Sequence, residues 1–81
     1  MLEDLKKAEK KTVGMKQTLK AIEEGRTRRV FLAKDIDDYL SQRIRAYCQM
    51  HSIDITFVHS MKELGDVCGI TIGAATAAIL K

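Results

Sequence analysis

The sequence predicts an α/β sandwich, with helices covering both faces of a small central sheet. Three observations point there. Segments with apolar residues three and four apart alternate with short segments that are apolar continuously or at every second position, the periods of helix and strand respectively. The tetrad Val30-Phe31-Leu32-Ala33 is bounded by charge on both sides, as suits a strand buried on both faces. The chain has 81 residues, 46% hydrophobic and 31% charged, enough for one domain with a core of limited size. Helix and strand in alternating order then give a layered α/β architecture.

Leu2, Leu5 and Ala8 stand three apart among Glu, Asp and Lys, and predict a short amphipathic helix lying on the domain. Lys10-Lys11 ends it, and Thr12-Val13 offers a short edge strand before Gly14 breaks the pattern. In the second helix Met15, Leu19 and Ile22 form an apolar stripe. Gly25 stops it after Glu23-Glu24, two acids at the helix end whose dipole disfavours them. After the buried strand, Lys34-Asp35-Ile36-Asp37-Asp38 reads as a turn in which Asp35 or Asp37 caps the third helix. That helix carries Leu40, Ile44, Tyr47 and Cys48 on one face, and His51-Ser52 closes it. Ile53, Ile55 and Phe57 alternate with Asp54 and Thr56, and Val58 extends the run, which predicts a strand.

Ser60 and Glu63 then have the spacing of a capping box, in which each side chain satisfies the other's backbone N–H. Met61, Leu64, Val67 and Cys68 make the apolar side of the helix they begin, and Gly69 is placed for the left-handed residue that ends it. Ile70-Thr71-Ile72 puts two β-branched apolar residues where a loop is ordinarily polar. Such a tip calls for something to press against. The final segment, 74–80, is Ala-rich. It reads as helix by propensity and as a closing strand by its length and its place in the alternating order; the residues leave both open.

Net charge is +3 with pI ≈ 9.0, unevenly spread. Residues 1–34 hold ten Lys/Arg against five Asp/Glu, a net of +5, while residues 35–81 hold four against six, a net of −2. A basic half is expected where one end of a molecule meets a polyanion; a solvated surface with no partner fits the charge equally. Cys48 and Cys68, embedded in apolar pattern, do not make a disulfide framework and fit a reduced, cytoplasmic setting. Met1-Leu2-Glu3-Asp4 lacks the basic region and apolar run of a secretory signal. The longest apolar run, 69–80, falls short of the roughly 20 residues a membrane span needs.

Catalytic patterns find little support. Cys48 and Cys68 fall on apolar helix faces, where a thiol is a small buried side chain rather than an activated nucleophile. His51 and His59 stand at element ends, and with the two cysteines they do not match zinc-finger ligand spacing. Asp35, Asp37 and Asp38 precede a helix and are better read as caps than as an acid–base pair or cation site. Gly65, Gly69 and Gly73 recur every four residues, in a segment too short and mixed for a membrane helix pair. No Gly-rich phosphate loop with its Lys is present. The sequence therefore predicts no enzyme, cofactor or metal.

A binding pattern remains. Gly14-Met15-Lys16-Gln17-Thr18-Leu19-Lys20 places a glycine at a helix start, followed by two lysines four apart with a glutamine between them. Helix N-termini bring N–H groups and a favourable dipole to phosphate, and Lys and Gln can donate to base edges, Lys to guanine in particular. Three segments, 14–20, 30–35 (Val-Phe-Leu-Ala-Lys-Asp) and 64–75 (Leu-Gly-Asp-Val-Cys-Gly-Ile-Thr-Ile-Gly-Ala-Ala), stand in a familiar order and spacing. Together they resemble the ribosomal protein L-seven-Ae/L-thirty-e superfamily that binds kink-turn RNA, and among its members the small bacterial YbxF type. The likeness runs from about Leu5 to Leu80.

The resemblance implies one domain over residues 1–81, a three-layer α/β/α sandwich with a small mixed central sheet of about four strands, the Ala-rich segment being the last. It also implies an RNA-binding protein that recognises and stabilises kink-turns, with partners among ribosomal or regulatory RNAs, and a cytoplasmic monomer with no membrane association. In the family the glycine-led helix start enters the major groove at tandem sheared G·A pairs; Gly14, Lys16, Gln17 and Lys20 match it. The loop after the capped helix packs on a flipped-out nucleotide, and Ile70, Thr71 and Ile72 match that loop. Lys34 and Asp35 fall beside the same surface, with Lys62 and Arg28 as further phosphate candidates. Archaeal and eukaryotic members carry Asn-Glu in place of Lys16-Gln17, and many have a charged residue and Pro in place of Thr71 and Gly73; donors and apolar contact survive both changes. The alternative is a structural ribosome or ribonucleoprotein subunit whose main contacts, through loop 70–72, are with ribosomal proteins.

Overall fold

Val30-Phe31-Leu32-Ala33 forms the second half of strand β2 (Thr27–Ala33), and each of the four is at most 1% exposed. In the computed structural model, which describes residues 2–81, β2 is one of two inner strands. The other elements are α1 (Leu2–Lys7), β1 (Lys11–Val13), α2 (Met15–Glu23), α3 (Asp38–Met50), β3 (Ile55–Val58), α4 (Met61–Cys68) and β4 (Thr76–Leu80). The sheet order is β1-β4-β2-β3. β4 runs antiparallel to both β1 and β2, and β3 runs parallel to β2, so the sheet is mixed.

Strand alternation divides the core in two. Phe31 and Ala33 of β2, Val58 and Ala77 pack with Leu5 of α1 and Leu64 of α4 on one face. Val30 and Leu32, with Ala78, pack with Leu19 and Ile22 of α2 and Ile44 and Cys48 of α3 on the other. Fully burying Phe31 is worth about 2–3 kcal/mol. The Ala-rich segment resolves as strand: alanine at 77 and 78 lets helices approach both faces of an inner strand, and burial overrides helix propensity. The sheet also extends beyond its apolar run. β2 begins at Thr27 rather than Val30, whereas β3 begins at Ile55 rather than Ile53.

Helix ends follow their local chemistry. Gly25 (φ 69°) and Gly69 (φ 79°) take the left-handed conformation, and paired bonds Gly69 N–H to Asp66 O and Ile70 N–H to Gly65 O, both 3.1 Å, make a Schellman motif after α4. The same bonding closes α3 on Ser52, a non-glycine at φ 57°. Among the described residues no helix is long and apolar enough to cross a membrane.

Candidate functional site

The strand pairings put the C-terminal ends of β1, β2 and β3 and the start of β4 at one edge of the sheet. There Val13 faces Ala77, Leu32 faces Thr76, and Ala33 faces Val58. Bonds continue past the strands: Gly14 N–H donates to Thr76 O at 2.8 Å, Ala33 N–H to Ala75 O at 2.9 Å, and Lys34 N–H to Val58 O at 2.9 Å. At an interstrand spacing of ~4.8 Å, Gly14 and Leu32 stand about 10 Å apart across Thr76, and Lys34 lies two residues beyond Leu32 at the same end. Three segments far apart in sequence, 14–20, 34–35 and 70–75, thus meet at one end of the molecule.

Gly14 (φ 98°, ψ 164°) occupies a backbone region essentially confined to glycine, which lets the chain turn from β1 straight into α2. A buried 2.8 Å bond between the Thr12 and Thr18 hydroxyls fastens the two elements. With glycine at the N-cap, no side chain caps α2. The contrast with its neighbours is sharp. Asp37 accepts from Tyr39 N–H at 2.8 Å to cap α3. Two side chains close α4: Ser60 Oγ accepts from Glu63 N–H at 3.1 Å, and Asp35 Oδ1 from Met61 N–H at 2.8 Å. Among the described residues no bond returns from the Glu63 carboxylate, so only half of the capping box forms. The first turn of α2 therefore keeps open amides at the positive end of its dipole, beside exposed Lys16 and Gln17. Lys20 is exposed one turn further on.

On the other face of the sheet, segment 70–75 runs back along α4 to the same edge. Gly65 and Gly73 make this possible. A Cβ on Gly65 would run into the Ile72 carbonyl oxygen, and one on Gly73 would stand 3.0 Å from Met61 Cβ. Ala74 N–H donates to Met61 O at 3.0 Å and fixes the track. The glycine periodicity thus serves a loop packed on a helix. Within the apolar turn the residues separate: Ile70 is half-buried against the core, Thr71 is exposed, and Ile72 is 73% exposed.

Lys34 lies exposed between these two features. Asp35 stands beside it, but its carboxylate ties the β2–α3 turn to the start of α4, so its part here is positional. Lys62 is exposed on the first turn of α4, 3.9 Å from Asp66. Arg28 is not brought to this end: it sits near the start of β2, where Thr27 faces Leu80. Arg43 and Tyr47 of α3 line a groove with Lys16 and Lys20 of α2, a grouping that sequence reasoning misses. Arg43 reads in sequence as a solvated polar-face residue, and only helix packing reveals its neighbours.

The remaining chemistry is quiet. Burial pushes the Cys48 thiol up to about 11, and burial raises that of Cys68 too, partly offset by the charge of Lys11. Both are thiols, not thiolates, at neutral pH. Among the described residues no three His, Cys, Asp or Glu cluster as metal ligands.

Comparison with known proteins agrees with this plan. The family model described as "Ribosomal protein L7Ae/L30e/S12e/Gadd45 family" matches residues 1–81. A protein of Caldanaerobacter subterraneus subsp. tengcongensis, named as an RNA-binding protein, is 45% identical over 69 residues, 85% of this chain and 84% of that one. The "RNA-binding protein YbxF" of Geobacillus stearothermophilus is 38% identical over 79 residues, covering 98% of this chain and 96% of its own. The solved structure of the "Giardia lamblia 15.5kD RNA binding protein" superposes with a TM-score of 0.87 at 23% identity, over 99% of this chain and 70% of that one. Its sequence is distant enough that it speaks for the fold alone. On the whole-length match and the identity to its bacterial relatives, the chain belongs to the ribosomal protein L7Ae/L30e/S12e/Gadd45 family.

Proposed function

We propose that this end of the domain binds structured RNA and stabilises kink-turns. The reading rests on one observation above the rest: an uncapped, lysine-flanked helix start and an exposed isoleucine tip lie on opposite faces of the same sheet edge. Lys16 and Gln17 would donate to base edges at the tandem G·A pairs, where acceptors face the groove. Ile72 would pack on the extruded nucleotide, an apolar contact open to any base. Lys34 and Lys62 supply the salt-dependent attraction to phosphate, and Asp35 holds the elements that present them. RNA of this kind is read at its bulges and loops rather than along its duplex, which suits an edge with contact residues on both faces of the sheet. The printed names of the bacterial relatives support the RNA reading. On it, the protein works in the cytoplasm as a monomer.

The test is binding of purified protein to an isolated kink-turn RNA, with no other protein present, against a fully paired duplex. Lys16→Ala and Gln17→Ala should each weaken kink-turn binding by about 1–3 kcal/mol while leaving duplex binding nearly unchanged. Ile72→Asp should act likewise. Equal losses on both RNAs would remove the specific role, and wild-type protein that ignores the isolated kink-turn would favour a protein partner for loop 70–72.

A further inference from the structure

We infer that the molecule carries a second RNA-backbone surface at the opposite end of the sheet, reached by a basic groove along the β1–α2 edge. It rests on the RNA reading above. Segments 6–11, 23–28 and 80–81 meet at that end, and hold seven Lys/Arg against three Asp/Glu. Their net of +4 exceeds the +3 of the whole chain. Backbone bonds gather them: Leu80 N–H donates to Lys10 O at 3.0 Å and Lys81 N–H to Arg26 O at 2.8 Å.

The groove is made of adjoining hollows that share lining residues: one holds Gln17, Lys20, Lys11 and Arg26, and the next holds Lys11, Arg26, Lys10 and Lys81. Arg28 lines its far end. Arg28 is there because β2 bulges: Thr27 faces Leu80 and Arg29 faces Ile79, leaving one extra residue between them. A bulge re-aims the side chain it carries. Two of the cations are committed, Lys11 to the carbonyls of Leu5 and Lys6 and Arg26 to Glu24 at 2.8 Å. Lys10, Lys20, Arg28 and Lys81 make no side-chain hydrogen bond or ion pair among the described residues. Glu9 also lines the groove, and a single acid does not reverse its sign.

The occupant is a polyanionic backbone rather than a folded protein. Protein interfaces are anchored by buried apolar or aromatic side chains, and none of the exposed large hydrophobics, Tyr39, Met50, Phe57, Met61 and Ile72, lies in this groove. At ~3.3 Å per residue, the seven residues of β2 place the two ends roughly 20 Å apart. A stem leaving the first site has that distance of basic surface to follow.

The test compares wild type with Lys10→Gln/Arg28→Gln/Lys81→Gln on three RNAs: a kink-turn with minimal stems, and the same kink-turn with either stem extended. Dissociation constants are measured across KCl concentrations. With one extended stem, wild type should show a salt slope steeper by about 2 to 3, at ~0.9 per phosphate contact. The triple variant should lose that increment, and roughly tenfold in affinity at low salt, while binding the minimal kink-turn as wild type does. Equal slopes for variant and wild type on both extended RNAs would overturn the second surface. Thermal unfolding of the variant at the wild-type temperature assigns any loss to contact rather than folding. Replacing the G·A pairs by Watson–Crick pairs tests the first site separately: unchanged affinity there refutes the kink-turn reading, and the slope difference on extended duplex still decides the second surface.

Discussion

Replacing Gly65 by alanine separates two opposing effects whose sum has opposite signs with and without the tertiary structure. In an isolated helix, Gly→Ala in the interior is worth about 1 kcal/mol of stabilisation. Here Gly65 is buried in the middle of α4, with the chain at Ile72–Gly73 lying directly on it. The new methyl would meet backbone, not a side chain that can swing away: the Ile72 carbonyl first, then Gly73 Cα at 3.1 Å. Overpacking of this kind costs about 1–3 kcal/mol. If the loop retreats, it strains the Ala74 N–H to Met61 O bond of 3.0 Å and the Ile70 N–H to Gly65 O bond of 3.1 Å, each worth about 1 kcal/mol net. Propensity offsets part of this, leaving a loss of about 2 kcal/mol, or roughly 8–16 °C in melting temperature for a domain of this size. The variant should also bind a kink-turn RNA more weakly than its stability alone explains, because the loop that moves is the one that carries Ile72. Urea and thermal unfolding, with RNA affinity measured well below the transition, check both parts. A variant about 1 kcal/mol more stable than wild type, with affinity unchanged, would show that the loop does not rest on α4 in this way.

Two further expectations follow from the backbone and from the core. Ser52→Gly should stabilise the protein by about 0.5–1 kcal/mol, because the left-handed geometry at φ 57° costs a non-glycine residue ~1 kcal/mol or more while added chain freedom in the unfolded state takes part of it back; a lower urea midpoint would refute this. Cys48 should contribute a loss of stability between about pH 9 and 11. The native thiol stays protonated up to about 11 while the unfolded chain ionises it lower, so the folded state binds more protons in that window and stability falls as pH rises. The slope of unfolding free energy against pH should be shallower there in Cys48→Ala than in wild type, whatever the mutation does to the absolute level, and parallel curves would refute the assignment.

What was legible in the sequence was local. The caps at Asp37 and Ser60, the closing residues Gly25 and Gly69 and the two-faced burial of Val30–Ala33 are written in neighbouring residues and recur in the structure. The Ala-rich segment was ambiguous because its helix propensity is intrinsic, whereas its strand state depends on partners at Thr12 and Val30 more than forty residues away. The half-buried Ile70 and the bare Ile72 read alike in sequence, and only the Schellman turn tells them apart. Asp35 is the most instructive. Its position ahead of a helix made it a candidate cap, and it does cap one, but that helix is α4 rather than α3. The partner lies 26 residues on, past α3 and β3, which no local pattern can encode. The sheet edge that gathers segments 14–20, 34–35 and 70–75 is equally invisible without topology, although each segment is recognisable alone.

Capping decides which of the helix starts at that edge is available to a ligand. Both α2 and α4 begin there, and α3 begins from the same turn that holds Asp35. A side-chain cap is worth about 1 kcal/mol, and α3 and α4 take it, α4 from two residues at once. α2 takes none, although a serine or aspartate at position 14 would be the ordinary way to secure a nine-residue helix. Conformation supplies one reason, since only glycine turns at φ 98°, ψ 164° without strain. Placement supplies the other: a cap at this position would occupy the amides of the first turn, beside exposed Lys16 and Gln17. The helix is held instead from behind, by the buried Thr12–Thr18 hydroxyl pair and by Leu19 and Ile22 in the core. Stability has been moved from the exposed end of α2 to its buried face, and on the function proposed above the open amides are where a nucleic acid's acceptors would complete the cap that the chain omits.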